Sequence, residues 1–110
     1  MRALLATLLL SLTACVPDVC TRAQRLNTDF PKRHEACFAD DTLPGASFDA
    51  TACDTSMKPC STADEAALQA YFDCVEKLPV CTPDTRGDFS AALLSCASGM
   101  NQLTPGCFRM

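Results

Sequence analysis

Cysteine and histidine are the residues of this chain best suited to chemistry, and there are nine cysteines and one histidine among 110 residues. Zinc sites use closely spaced ligand pairs such as Cys-x-x-Cys, and the sequence has no such pair and no second histidine. The closest cysteine spacings are those of Cys15 with Cys20, Cys53 with Cys60 and Cys74 with Cys81. Zinc ligation is therefore the weaker alternative, and we predict disulfides, with no metal ion and no cofactor.

Motifs of enzyme active sites are missing from the sequence. No Gly-x-Ser-x-Gly elbow, His-Glu-x-x-His helix or phosphate-binding glycine loop occurs. His34 and Glu35 are neighbours, but adjacent helix positions point to different faces, so the two do not make a base and its orienting group. We predict a solvated surface position for His34, no catalytic residue and no enzymatic activity.

Two charged motifs have simple structural explanations. The spacing of Asp40, Asp41, Asp49 and Asp54 matches no calcium loop, so a solvated acidic loop is the preferred interpretation over a calcium site. Arg86-Gly87-Asp88 is the tripeptide that integrins bind in extracellular matrix proteins. Here we interpret Asp88 as a helix cap.

The start of the chain has the pattern of an export signal. Met1 and Arg2 supply a minimal positive region, and residues 3–14 are uncharged and rich in leucine. A membrane-spanning helix needs about 20 apolar residues, and this run stops at Pro17 and Asp18. The sequence thus favours a signal peptide over a permanent transmembrane anchor.

The end of this segment, Leu12-Thr13-Ala14-Cys15, resembles a bacterial lipobox. The resemblance implies that residues 1–14 are cleaved, that the Cys15 sulfur carries diacylglycerol and that its amine carries a fatty acid such as palmitate. Two or three chains would hold the protein firmly at a membrane, because each buried methylene contributes about 0.8 kcal/mol. Val16 replaces the aspartate that retains lipoproteins at the inner membrane, so we expect the outer membrane, at its periplasmic or surface face. The alternative is an ordinary secretory peptide with Cys15 free or in a disulfide.

The remaining cysteines form an even set. In an exported domain, 15–110, this parity predicts four disulfides in an oxidising compartment. Such bridges suit a small domain, because each loop of about 15 residues that a disulfide closes contributes on the order of 3 kcal/mol. The pairing is open among about 105 possibilities. The predicted disulfide set is Cys20, Cys37, Cys53, Cys60, Cys74, Cys81, Cys96 and Cys107.

The charge excludes one class of partner. Thirteen acidic against nine basic residues give a formal net charge of −4. Nucleic-acid-binding domains carry the opposite, basic balance. We therefore predict no nucleic-acid partner.

Hydrophobic periodicity predicts helices along the mature chain. A first helix is expected over 16–27, with Phe30 on its apolar face, and to end before Pro31. A short second helix is expected over Pro31–Phe38, followed by a loop over 40–45. The stretch 46–60 has no clear periodicity, and we expect Phe48 to face inward.

Two stronger helices follow. Thr62-Ala63-Asp64-Glu65 predicts a capping box, and Pro79 ends that helix. Asp88 is expected to cap the last helix, which Pro105 ends. An antiparallel hairpin would return Cys107 towards Cys60, which is compatible with a disulfide between them. The predicted core faces are Leu68, Tyr71, Phe72, Val75 and Leu78 on the first helix, and Phe89, Leu93, Cys96, Ala97, Met100 and Leu103 on the second.

The layout resembles small cysteine-rich lipoproteins of myxobacteria over nearly the whole mature chain. The residues that carry the resemblance are the lipobox, Val16-Pro17-Asp18-Val19-Cys20, the Cys53 and Cys60 pair, Tyr71-Phe72-Asp73-Cys74 and Leu78-Pro79-Val80-Cys81-Thr82-Pro83. The resemblance implies a lipid-anchored envelope protein and supplies no catalytic or ligand residues.

We expect an all-α domain of three to four short helices stapled by disulfides. Its preferred function is a non-enzymatic interaction or structural module of the cell envelope, acting on an unidentified envelope protein. The alternative is a carrier of small apolar ligands such as lipids, because plant lipid-transfer proteins also pin helices with four disulfides, although their Cys-Cys and Cys-x-Cys motifs are missing here. In that alternative Phe72, Phe89, Leu93 and Met100 would line a cavity, and the competing interpretation is that they form solid core.

Overall fold

The computed structural model describes residues 18–37 and 48–109. Within these residues the fold is all-α, as predicted, with four α-helices and three short 3₁₀ turns. The predicted signal peptide, Cys15 and the predicted loop over 40–45 lie outside the described residues. None of the described helices is long and apolar enough to span a bilayer. The helices are α1 (Val19–Arg33), α2 (Ala50–Ser56), α3 (Thr62–Glu76) and α4 (Arg86–Ala97).

Helix α1 begins at Val19, directly after its N-cap residue Asp18. The Asp18 carboxylate accepts a hydrogen bond of 2.8 Å from the Thr21 backbone N–H, which satisfies one of the free donors of the first turn. The sequence predicted that this helix ends before Pro31. That prediction is wrong, because the helix runs through Pro31 to Arg33. The second short helix is correspondingly reduced to a 3₁₀ turn over Glu35–Cys37.

Tertiary contacts explain why α1 continues past its proline. Proline in a helix interior removes one backbone hydrogen bond and crowds the preceding turn. The extra turn places the Arg33 guanidinium at the end of α3, where it donates to the Glu76 carbonyl at 2.7 Å and the Leu78 carbonyl at 2.9 Å. A cation at a helix C-terminus also interacts favourably with the helix dipole. These contacts offset the loss at Pro31.

Helix α2 lies in the stretch that showed no periodicity. Asp49 is its N-cap and accepts from the backbone N–H groups of Thr51 and Ala52 at 2.9 and 3.1 Å. The helix has only seven residues, too few for a helix to be stable alone in water. It is fixed to α1 by the disulfide between Cys20 and Cys53.

The capping box of α3 is displaced by one residue from its predicted position. Ser61, not Thr62, is the N-cap; its hydroxyl accepts from the Asp64 N–H at 3.1 Å, and the Asp64 carboxylate accepts from the Ser61 N–H at 2.8 Å. Likewise α4 begins at Arg86 after Thr85, so Asp88 is not its cap but lies in the first turn, where a carboxylate is still favourable.

Helix α3 is the centre of the domain and packs against α1, α4 and the 3₁₀ turn over Ser98–Gln102. Its predicted apolar face is confirmed, since Leu68, Phe72, Val75 and Leu78 are buried and Tyr71 is half-buried. Two apolar clusters meet along this helix, one around Leu68 and Phe72 and one around Val75 and Phe89.

The eight predicted cysteines form four disulfides. Their Cα–Cα distances, from 4.8 to 5.8 Å, lie within the ordinary range for the bond. The hairpin of α3 and α4 brings Cys107 back to Cys60, the pairing that the sequence suggested. Each bridge connects segments at least 22 residues apart. The pairs are Cys20–Cys53, Cys37–Cys81, Cys60–Cys107 and Cys74–Cys96.

Candidate functional site

His34, the only histidine, does not lie at the surface as predicted; it is 1% exposed. Because α1 continues past Pro31, His34 falls one helical turn after Phe30 and faces inward. Its ring packs between Phe30, at 4.7 Å, and Phe89, at 4.5 Å. Its Nδ1 accepts a hydrogen bond of 3.1 Å from the Cys81 backbone N–H.

This environment keeps the imidazole neutral. Burial, together with the positive charge of Arg33, lowers the pKa of His34 below its ordinary value of 6.5. An Nδ1 that accepts a hydrogen bond carries no proton, so the ring proton resides on Nε2. The nitrogen that would act as a base is thus occupied by the backbone, and His34 stabilises the fold at the Cys37–Cys81 disulfide.

Arg22 is a buried charge that joins α1 to α3. Its guanidinium donates to the Asp73 carboxylate at 2.8 Å, to the Glu76 carboxylate at 3.0 Å and to the Gln69 side-chain oxygen at 2.7 Å. It also lies 5.5 Å from the centre of the Phe72 ring, within cation–π range. These contacts place Arg22 in a structural role.

Asp64 lies in the one cluster of metal-ligand types found among the described residues, with Cys60 and Cys107. The two sulfurs form a disulfide, so no thiolate is available to bind a metal. The Asp64 carboxylate already accepts from the N–H groups of Ser61 and Thr104. A hydrogen bond to the Thr104 side chain, followed by the bond from the Ser61 backbone, lowers the pKa of Asp64 to about 2. The cluster is a junction that ties the C-terminal segment to the start of α3.

The aspartates that the sequence analysis weighed as a calcium site do not form one cluster among the described residues. Asp49 caps α2, Asp54 lies on the same helix, and Asp40 and Asp41 lie outside the described residues. An open depression of about 600 Å³ between α1 and α3 includes Asp18, Asp54 and Glu65. Asp18 is engaged as the cap of α1. Its acidic groups are exposed, which is typical of a solvated face.

The most distinctive surface is a groove of about 470 Å³, here called the apolar groove. Helices α1, α3 and α4 contribute to it, together with the segments that hold Phe48 and Phe108, and none of the described residues that line it is charged. The Asn27 amide and the Tyr71 hydroxyl are its polar side-chain groups. The α1 wall comprises Ala23, Leu26, Asn27, Phe30 and Pro31, and the facing wall comprises Phe48, Tyr71, Phe72, Val75, Leu93 and Phe108.

Phe108 forms one wall of the apolar groove in an unusual backbone conformation. Its φ is 56°, in the left-handed region that bulky residues rarely adopt. Gly106, at φ 87°, permits the turn that leads to it, and the Phe108 N–H donates to the Ser56 carbonyl at 2.9 Å. The Phe108 ring meets the Phe72 ring edge-on at 6.4 Å. The turn therefore places an aromatic ring at the groove.

The cavity residues predicted from sequence are only partly brought together. Phe72 and Leu93 line the apolar groove, whereas Phe89 is buried in the core beside His34 and Met100 packs in the Leu68 cluster. Sequence reasoning missed Phe108 as a lining residue. The Pro105-Gly106 turn just before it was the available signal, because a glycine there permits the reversal that returns the chain to α3.

Comparison of the chain with models of known protein families, with curated proteins and with solved structures found no match. The resemblance to myxobacterial lipoproteins therefore stays a prediction from the residues.

Proposed function

We propose that the chain is an exported lipoprotein in which acylated Cys15 holds a disulfide-stapled helical domain at a membrane of the cell envelope. The observation that carries the proposal is the complete pairing of the other eight cysteines. This pairing supports the proposal, because it leaves no thiol within the described domain as an intrachain partner for Cys15. A lone cysteine after Leu12-Thr13-Ala14 is the residue that lipidation requires.

The position of the domain fits such an anchor. Helix α1 begins at Val19, and its cap is Asp18, three residues after Cys15. An extended chain of three residues spans at most about 11 Å. Acyl chains on Cys15 would therefore hold α1 and the surface around it close to the headgroups.

We propose that the anchored domain acts as a non-enzymatic interaction module towards another envelope protein. Three buried polar groups of the described residues are engaged in the fold: His34 binds the backbone, Arg22 joins two helices, and Asp64 caps α3. Four disulfides favour a rigid, durable surface over one that rearranges. Both features suit a scaffold that presents a fixed shape.

A second candidate function, a carrier of apolar ligands, is favoured by one observation, the apolar groove. Ligand sites are commonly concave, largely apolar and between about 300 and 1,000 Å³, and the groove of about 470 Å³ falls in that range. The two functions are compatible, since an anchored carrier would take its ligand from the adjacent membrane.

Membrane fractionation of two single variants tests the anchor. We expect the wild-type protein in the outer-membrane fraction. Cys15→Ser should carry no acyl chains and should leave that fraction, and Val16→Asp should be found at the inner membrane. Retention of the wild-type distribution by Cys15→Ser, with an unacylated wild type, would overturn the lipoprotein proposal. An unchanged distribution of Val16→Asp would overturn only the assignment to the outer membrane.

A further inference from the structure

We propose that the apolar groove binds the hydrocarbon chain of a single-chain lipid, such as a long-chain fatty acid, with the Phe108 ring as a fixed wall of the site. This inference rests on the second candidate function, the apolar-ligand carrier, and names its ligand class. It concerns a lipid molecule other than the chains on Cys15, because those chains are committed to the bilayer by the proposed anchor.

The lining chemistry matches a hydrocarbon chain. Leu26 and Phe30 on α1 face Tyr71 and Phe72 on α3 across the groove, and the lining residues within 18–37 and 48–109 include no charged side chain. A charged or sugar-like ligand would lose its hydration there without gaining a partner for each polar group. A methylene chain has no such loss, and it is the class of ligand that an uncharged, aromatic-lined groove favours.

The size of the groove favours one chain over two. Its volume of about 470 Å³ lies near the lower end of the range for small-ligand sites. In the part of the chain that the structure describes, the groove is open on one side, where the exposed Asn27 lies at its margin. A polar headgroup can therefore remain in water or among lipid headgroups while the chain lies between the helices.

The backbone at Phe108 is the second, independent observation. A phenylalanine at φ 56° is strained, and strained residues cluster at ligand clamps and other functional sites. Two contacts hold this conformation, the disulfide of the preceding residue, Cys107, with Cys60 and the hydrogen bond from the Phe108 N–H to the Ser56 carbonyl. A glycine would satisfy the same turn without strain. The cost of the aromatic side chain here is explained if its ring serves the groove.

Photolabelling with palmitic acid that carries a mid-chain diazirine tests the site. The full chain is used as the exporting cell processes it, purified and transferred to phosphatidylcholine nanodiscs, and labelled peptides are mapped by mass spectrometry. We expect saturable labelling of peptides that contain Phe30, Tyr71 or Phe108, and competition by unlabelled palmitic acid. This arm needs no variant.

Two variants and one control sharpen the test. Phe108→Gly removes the wall and the strain together, and Ala23→Leu fills the groove from α1; each should reduce labelling by about tenfold, the scale of losing or blocking one apolar contact. Leu94→Ala is the matched control, because Leu94 is 74% exposed and lies outside the groove. Its labelling should equal that of the wild type. Phe108→Gly should also retain the far-ultraviolet circular dichroism of a folded domain.

Three results would overturn the inference. One is unsaturable labelling, or labelling confined to a peptide outside the groove, such as the one that contains the exposed Val80. Another is full labelling of Phe108→Gly and Ala23→Leu. The third is labelling that appears only in Cys15→Ser, which would mean that the protein's own acyl chain fills the groove. The intact mass of the same samples reports whether Cys15 is acylated, so failure of the anchor is distinguished from failure of the lipid site.

Discussion

Removal of the Cys60–Cys107 disulfide tests the architecture that positions the groove. In the double variant Cys60→Ala/Cys107→Ala the C-terminal segment is no longer tied to the start of α3. The bridge spans 47 residues, but Cys74–Cys96 lies inside that span and shortens the loop in the unfolded chain. The effective loop is about 25 residues, 14 on the Cys60 side and 11 on the Cys107 side. Loop-closure entropy then gives a loss of about 3.5 kcal/mol in the free energy of unfolding.

The assay is guanidinium denaturation followed by far-ultraviolet circular dichroism, with alkylation of free thiols in the unfolded protein and peptide mapping of the labelled cysteines. We expect a lower midpoint with an unchanged helical signal in native buffer, and no label on the other six domain cysteines, because these remain paired. The matched control is the single variant Cys60→Ala, which should place the label on Cys107. Label on any of the six cysteines in the first variant, or on a cysteine of the domain other than Cys107 in the control, would refute the pairing. A loss below about 1 kcal/mol would refute the entropic reasoning.

Three further predictions concern buried polar groups and use the same denaturation assay. Because the pKa of His34 is lowered in the folded protein, the unfolded chain binds a proton at a higher pH than the folded chain does. The free energy of unfolding should therefore fall as the pH drops below about 6.5 towards the folded-state pKa, and His34→Leu should flatten this dependence on pH. An unchanged pH dependence in the variant would contradict the buried position of His34. The pKa of Asp64, lowered to about 2 from 3.8, adds stability that is present above about pH 4 and is lost as the pH falls towards 2. Asp64→Asn should lower the midpoint at pH 7, because an amide offers one acceptor oxygen in place of the two that accept from the Ser61 and Thr104 N–H groups. A wild-type midpoint in the variant would refute these contacts. Arg22→Met keeps the packing of the side-chain stem but removes the ion pairs with the exposed carboxylates of Asp73 and Glu76. We expect the free energy of unfolding to fall by about 1–2 kcal/mol, and an unchanged value would show that these ion pairs do not stabilise the fold.

The helical fold class, the buried face of α3 and the number of disulfides were predictable from the sequence because their signals are local or arithmetic. The period of apolar residues on α3 placed Phe72 and Val75 in the core, and the parity of the cysteines fixed the number of bridges once Cys15 was set apart. The return of Cys107 to Cys60 followed from two helices joined by a short loop.

The features that were missed depend on tertiary contacts. Pro31 marks a helix end by local rules, but the bonds of Arg33 to the end of α3 extend α1, and this in turn buries His34. Ser61 and Thr62 are both good N-cap residues, and in the structure Asp64 completes the capping box with Ser61 while it also accepts from the Thr104 N–H.

The apolar groove could be anticipated only in part. Its α3 wall lies on a periodic face, whereas Phe48 and Phe108 reach it from irregular segments. A left-handed phenylalanine such as Phe108 has no sequence signature apart from the glycine that precedes it by two positions.

We propose that a lipid-modified Cys15 precedes a domain whose other cysteines are all paired. Intact mass spectrometry of the protein extracted in mild detergent from its own membranes, before and after reduction, tests this arrangement. We predict a chain that starts at Cys15, carries the mass of diacylglycerol and a fatty acid, and gains eight hydrogens on reduction. A chain without acyl mass, or one that gains fewer hydrogens because it holds free thiols, would contradict it.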